Sequence, residues 1–348
     1  MELNDLLGQN SEWLRGTGPN SDIVISSRIR LARNLDKIPF SHWAKKNHLE
    51  KVLSKTKETI SMNSHMKNGI FLELDNLSNV DKQFLIERHL ISPEHAMKSN
   101  HRAVFISDKE VISIMINEED HLRIQVMQSG FNLMEAWSLI NSFDSELEEV
   151  LSYAFSANWG YLTACPTNTG TGMRASVMVH LPSLVLTKQI NKVLQAITKL
   201  SLMARGFYGE GTEASGNLFQ ISNQVTLGHR EEEIIDNIER IIKQVIEHEQ
   251  NARRALLLQN KEETEDRVWR ALGTLKNAHI ITSNETLELL SIVRLGIDIG
   301  IINQLDRKMI NELFILTQPA HLQKIENKTL SASQRDIKRA VIIRNKLK

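Results

Sequence analysis

The chain has 348 residues, 41% of them apolar and 24% charged, and Lys+Arg and Asp+Glu balance at 42 each. That length supports a large α/β unit with a smaller partner, and the even charge gives no overall field toward nucleic acid or an anionic membrane. A single cysteine, Cys165, excludes an intramolecular disulfide framework, and no apolar run reaches the length of a membrane span. The first residues lack a basic segment followed by an apolar one, so no secretory leader is expected and a cytoplasmic protein is.

Taken in chain order, residues 22–33 (DIVISSRIRLAR) alternate as a strand and set Arg28 and Arg30 on one face. Helices are expected over 45–61 and 79–90. Ser92-Pro93-Glu94 supplies the cap, first-turn proline and acid that start another. Two β-rich runs follow, 103–117 and 121–128, with the acidic Asn117-Glu118-Glu119-Asp120 at the turn between them. Residues 131–152 read as a helix, apolar at Leu133, Trp137, Ile140 and Leu147. In 172–182 (GMRASVMVHLP), strict alternation places Arg174, Ser176 and Met178 on one face. A helix is expected over 183–204, a mobile glycine-rich loop over 205–216, a strand pair over 218–228 and a long helix over 231–259. Beyond Glu265 only helices are expected, two of them opened by capping-box patterns at 282–285 and 331–334. The expected fold is α+β: an antiparallel sheet flanked by helices over 22–258, after an extension of 1–21 and before a small all-α domain of 259–348.

Ordinary nucleotide and metal motifs are missing. There is no GxxxxGK[ST] run, no C-x-x-C and no H-E-x-x-H. The G-x-G-x-x-A match from Gly170 to Ala175 is not preceded by an apolar strand, and His229-Arg230-Glu231 lacks the aspartate of a protein-kinase catalytic loop. What remains is arginine on strands and loops: Arg28, Arg30, Arg123, Arg174 and Arg205. Taken singly, each could make a surface ion pair. Together they suit a polyphosphate, because planar guanidinium forks match phosphate oxygens in pairs. Glu118 and Glu119 beside Arg123, and Glu210 in the glycine-rich loop, add carboxylates that could align and deprotonate a guanidinium nucleophile.

SSRIRLARN, NEEDHLRIQ, CPTNTGTGMRASV and RGFYGEGTEASGN resemble, in the same order, the signature segments of the phosphagen (guanidino) kinase family, and together they span about residues 22–230. The resemblance implies an ATP-dependent phosphotransferase, with Mg2+ carried on the nucleotide phosphates and no protein metal site. It implies that Arg28, Arg30, Arg123, Arg174 and Arg205 hold the phosphates. The nucleotide site would be completed by the chain at Ser27, Ile29, Leu31, Ala175, Ser176, Val177, Met178, Gly206, Phe207, Tyr208, Gly209 and Glu210, and by His89. Glu119 would be the catalytic carboxylate, with Glu118 beside it and Glu210 across the guanidinium. Cys165 sits at the family's reactive-cysteine position, where a small packing residue is the equal alternative; its change to serine is expected to lower activity without abolishing it.

Small-guanidine kinases carry a helical domain ahead of the first arginine motif; here 21 residues precede Asp22, and a helical segment follows the catalytic unit instead. In this the chain resembles the bacterial protein arginine kinase branch (McsB type), which acts on arginine side chains of proteins. Arg335, Asp336, Arg339 and Ala340 match that branch's RDxxRA phosphoarginine-sensing pattern, although spacing alone fits a solvated basic helix with an Asp336–Arg339 pair. The resemblance further implies a Clp-type ATPase that receives marked proteins, a zinc-binding activator adaptor, a heat-shock transcriptional repressor and a homodimer, with no direct nucleic-acid binding. The alternatives are a kinase of free arginine or another small guanidine, and a catalytically silent adaptor that binds nucleotide or phosphoarginine.

Overall fold

The computed structural model describes residues 2–9, 11–98, 100–206 and 215–348. Its strands are β1 (Val24–Arg33), β2 (Ile70–Glu73), β3 (Ala103–Ile106), β4 (Ile112–Ile116), β5 (Leu122–Ser129), β6 (Phe155–Ser156), β7 (Gly160–Tyr161), β8 (Met173–His180), β9 (Leu202–Gly206) and β10 (Leu218–Asn223). β6 and β7 form a separate two-stranded ribbon, while the rest form one eight-stranded antiparallel sheet in the order β2-β3-β4-β5-β1-β8-β10-β9. The helices are α1 (Asp5–Gly8), α2 (Lys46–Met62), α3 (Asn79–Glu87), α4 (Pro93–Met97), α5 (Leu133–Glu148), α6 (Pro182–Leu186), α7 (Ile190–Lys199), α8 (Glu231–Gln259), α9 (Lys261–Asn277), α10 (Ser283–Asp298), α11 (Arg307–Leu316), α12 (Pro319–Glu326) and α13 (Ala332–Lys346).

The two faces of the sheet have different fates. Ile29, Leu31, Ala175 and Val177 enter a core shared with Ile140 and Phe143 of α5 and Ile238 and Ile242 of α8. On the opposite face the same strands carry Arg28, Arg30 and Arg174. A slip of one residue would send those guanidiniums into hydrocarbon, so the apolar set fixes the register that presents them. Further along that second face, Met127 and Met178 join another core with Trp13, Phe84, Val268, Leu290, Phe314 and Ile343. The C-terminal helices are thus packed under one end of the arginine-bearing face. Their starts follow local chemistry: the Thr282 side chain accepts from Glu285 N at 3.3 Å, and Ser331 and Gln334 close a capping box on α13.

Four expectations need correction. The run 103–117 is two strands, because Lys109 and Glu110 reverse the chain at φ of 55° and 61°. Glu110 is buried there, accepting from Arg88 Nε at 2.8 Å and Ser11 Oγ at 2.7 Å. Residues 183–204 are not one helix: Lys188 at φ 59° separates α6 from α7, and Ser201 at φ 60° turns the chain into β9. The pair expected over 218–228 is the single strand β10. At its last residue Asn223 Oδ1 accepts from Ala175 N at 2.8 Å, and beyond it Thr226 Oγ1 donates to the Thr167 and Thr169 carbonyls at 2.9 and 2.7 Å, so this segment braces a loop. Finally, Arg205 and Gly206 close β9 instead of opening a loop. The rest of that glycine-rich stretch, 207–214, lies outside the described residues.

Candidate active site

β5, β1 and β8 lie side by side, and their pairing gathers the arginines. Arg30 stands across from Arg174 on one side and Gln125 on the other; Arg28 stands across from Ser176 and Met127; Arg123 faces Ala32. Arg205 on β9 stands across from Gln220, which is itself opposite Met178. Like charges opposed across a ladder destabilise a sheet, and partial burial adds a desolvation cost. Burial, then Arg123 and Arg174, lowers Arg28 to about 9. Burial, then Arg28, Arg123 and Arg174, holds Arg30 well below its ordinary value. Arg30 Nε has no hydrogen-bond partner among the described residues. Arg174 reaches Ser222 Oγ at 3.2 Å.

The same field acts on His89. Burial, followed by Arg28 and Arg30, pushes it down to about 3, so the imidazole is neutral at any working pH. Its backbone is turned to φ 59°, its carbonyl accepts from Gln125 Nε2 at 2.6 Å, and its ring meets Trp13 edge-on at 5.4 Å. A concave patch lined by Trp13, Ser26, Arg28, His89, Met127, Ser176, Met178 and Gln220 adjoins the cations. Apart from Arg28 its lining is uncharged, so this patch borders the concentrated positive charge with neutral polar and apolar groups.

Not every expected nucleotide residue reaches this face. The side chains of Ile29, Leu31, Ala175 and Val177 lie in the core behind it. Ser27 Oγ donates to the Gly130 carbonyl at 2.9 Å, which ties it to the next loop. The backbone of β1 pairs with β5 on one side and β8 on the other, which leaves its amides engaged in the ladder. Gly206 ends β9, and Phe207, Tyr208, Gly209 and Glu210 lie outside the described residues.

The acidic turn divides its carboxylates into separate roles. Glu118 is buried; it accepts from Arg123 Nη1 at 2.8 Å and from the Ser92 hydroxyl. Although burial works against ionisation, Arg123 and these hydrogen bonds lower it to about 2. Asp120 is buried too, and its Oδ1 accepts from Asn34 Nδ2 at 2.6 Å and from Ala164 N at 2.7 Å. Between them, Glu119 is exposed, and partial burial of its carboxyl followed by repulsion from Asp120 and Glu118 raises its pKa. One carboxylate therefore anchors an arginine and another anchors a loop. The third makes no side-chain hydrogen bond among the described residues and has raised proton affinity, which suits a general base.

Asn34 makes this arrangement possible, and sequence reasoning missed it. It donates to Asp120 and to the Leu162 carbonyl (3.1 Å), and its Oδ1 accepts from His121 N at 2.9 Å. His121 Nδ1 accepts from Leu35 N at 3.0 Å, so Nε2 carries the proton and donates to the Pro39 carbonyl at 2.9 Å. The only visible signal was a polar residue closing the arginine strand. Cys165 lies just past the Asp120-anchored Ala164; half-buried, its Sγ is 3.0 Å from Thr167 Oγ1.

In the C-terminal helices, Arg339 is buried. It donates to the carbonyls of Thr317 and Ile281, each at 2.8 Å, and pairs with Asp336; Arg335 donates to the Leu330 carbonyl at 3.0 Å. Ala340 is buried beside them.

The profile of the ATP:guanido phosphotransferase C-terminal catalytic domain matches residues 51–252. The chain belongs to that family. The profile of the protein-arginine kinase McsB C-terminal domain matches residues 261–348. A protein-arginine kinase of Halothermothrix orenii is 52% identical over 348 residues, covering 100% of this chain and 99% of that one. Another, of Desulforamulus reducens, is 51% identical and covers 97% of this chain and 95% of that one. Among solved structures, lombricine kinase is similar with a TM-score of 0.60 at 25% identity, covering 70% of this chain and 71% of that one. A duplicated taurocyamine kinase from Schistosoma mansoni aligns with a TM-score of 0.61 at 26% identity, covering 67% of this chain and 34% of that one. The enzyme is a phosphotransferase with ATP as donor and a guanidino acceptor.

Proposed function

We propose that this chain is an ATP-dependent protein arginine kinase, moving the γ-phosphate of ATP to a guanidinium nitrogen of arginine side chains in proteins. The observation that carries this reading is the meeting, at the start of β5, of a cation-rich face with one exposed carboxylate of raised pKa. Arg28, Arg30, Arg123, Arg174 and Arg205 hold the phosphates, and His89 and Trp13 border the hollow beside them. Glu119 binds the acceptor guanidinium and takes its proton. The nitrogen lone pair forms the N–P bond as the bond from γ-phosphorus to the bridging oxygen breaks, and ADP leaves with that electron pair. Glu118 acts through Arg123 as a positioning residue. Glu210 is assigned as the partner carboxylate on resemblance. Mg2+ would travel on the nucleotide phosphates, where it neutralises charge.

That the acceptor belongs to a protein is supported by the full-length relatives with that name. With it go a cytoplasmic location, homodimerisation, and a division at about residue 258 into catalytic and helical domains. The Arg335–Ala340 segment is then the phosphoarginine sensor, and the partners are a Clp-type ATPase, a zinc-binding activator and a heat-shock repressor. Sensing would have to displace the Asp336–Arg339 pair.

The test is incubation with γ-labelled ATP and free arginine, or with an arginine-containing protein, scored for acid-labile, base-stable phosphate. Transfer to the protein, lost in Glu119→Gln, is the expected result. Transfer to free arginine alone would sink the protein-kinase reading, and no transfer to either would favour the silent adaptor.

A further inference from the structure

Two exposed aromatic loops flank the acidic turn, and the Glu119 chemistry does not use them. The first, 38–45, carries Phe40, His42 and Trp43, whose rings follow one another at 6.4 and 5.6 Å. Trp43 is 77% exposed. The second is the β6–β7 hairpin, where Phe155 is 59% and Trp159 57% exposed. By contrast, Trp13 and Trp137 are buried in the two cores. Single exposed apolar side chains are ordinary, but two loops tied to one turn that each display more than one ring mark a contact surface.

Both loops are fixed to the candidate acceptor position. His121, next to the acidic turn, holds the first through the Pro39 carbonyl, and His42 lies within electrostatic reach of Glu119. The second leads in a few residues to Ala164, whose amide is bound by Asp120. Its own base is rigid: Phe155 packs on Tyr161 at 5.3 Å, and buried Arg33 lies 3.5 Å from the Tyr161 ring centroid while pairing with Asp144. Asn34 joins the two, since its carbonyl accepts from Ala154 N at 2.7 Å while its side chain holds Asp120.

We propose that Trp43 and Phe40 on one side, and Trp159 and Phe155 on the other, form the docking surface for the polypeptide that carries the acceptor arginine. This rests on the protein-arginine reading above. An arginine side chain that reaches Glu119 leaves its own backbone and flanking residues outside the site, where the two loops tied to the acidic turn through His121, Asn34 and Asp120 can meet them. Rigid aromatic side chains lose little entropy on binding and contact many sequences, as an acceptor surface for varied proteins needs. A surface next to the reacting atoms fits the acceptor chain better than a second copy of this protein.

The experiment uses the full chain as wild type, Trp43→Ala/Trp159→Ala, Trp43→Phe/Trp159→Phe, and Trp269→Ala as an exposed-tryptophan control on α9. Acceptors are an unfolded arginine-containing polypeptide and Nα-acetyl-arginine amide. The alanine double variant is expected to raise KM for the polypeptide about tenfold, with a much smaller rise for the blocked amino acid. The phenylalanine pair should recover most of the loss, and Trp269→Ala should behave as wild type. Equal losses on both acceptors, or no loss on the polypeptide, would overturn the proposal. So would a changed sedimentation coefficient of the alanine variant, which would mark the rings as a self-contact. Wild-type transfer to the blocked amino acid but not to the polypeptide would remove the protein-arginine reading itself, separately from any variant.

Discussion

Two groups of buried arginines sit within one fold and are treated in opposite ways. Arg294, at the junction of the sheet with α10, is saturated. It donates to Asn311 Oδ1 at 3.1 Å, Asp298 Oδ2 at 3.1 Å, His180 Nδ1 at 2.8 Å and the carbonyls of Asp22 and Ser21 at 3.0 and 2.7 Å. Arg253 nearby pairs with Glu249 and Asp22. Arg30, by contrast, faces another arginine across the ladder and leaves Nε unpaired among the described residues. Residue type is identical in both groups; what separates a structural arginine from a ligand-binding one is whether the protein supplies the anion. The sheet–helix junction carries its own carboxylates. The second face of the sheet pairs Arg123 with Glu118 but sets Arg30 against Arg174, and on the proposed function the nucleotide phosphates supply the anion there.

Substitutions in the two regions should have opposite effects on activity and stability. Glu119→Gln removes the exposed carboxylate of the acidic turn, and kcat should fall about a thousandfold with the thermal midpoint unchanged. Steady-state transfer assays and a melting curve check both. Arg294→Met should do the reverse: buried Asp298 keeps Arg307 at 2.7 Å, but His180 Nδ1, Asn311 Oδ1 and the carbonyls of Ser21 and Asp22 lose a donor, and the change should cost about 3–5 kcal/mol by chemical denaturation. If it proved neutral, the contrast between the groups would fail. A smaller effect concerns pH. A general base works deprotonated and the Glu119 pKa is raised, so kcat/KM should fall as pH drops through a value above that of an ordinary glutamate. Glu118 is lowered to about 2, so the stability it contributes is present above its unfolded pKa and fades between that value and about 2, well below the activity limb. Superimposed acid limbs for activity and stability would contradict this division of the acidic turn.

Period and capping made much of the fold legible. Strict alternation gave the two arginine strands their faces, because a buried sheet face tolerates only one register. α8 runs from Glu231 to Gln259 as its apolar spacing requires. What escaped were reversals without glycine or proline: Lys109-Glu110, Lys188 and Ser201 all take positive φ, and their cause is tertiary. Leu202–Gly206 follows a helical stretch with good helix formers, yet β10 claims it as an edge strand. At the site, the arginines and acids could be named from sequence, but the sorting of Glu118, Glu119 and Asp120 could not. It depends on Ser92, Asn34 and Ala164, which meet the turn only after folding.

The claim on which the rest depends is that the second face of the sheet is built for a polyphosphate. Calorimetric titration of ATP into wild type and Arg30→Met, with melting curves of both without nucleotide, tests it directly. Removal of one crowded guanidinium should weaken ATP binding by about tenfold to a hundredfold while leaving the free protein as stable as wild type or more so. Equal ATP affinity in the two proteins, or a free variant markedly less stable than wild type, would contradict the account.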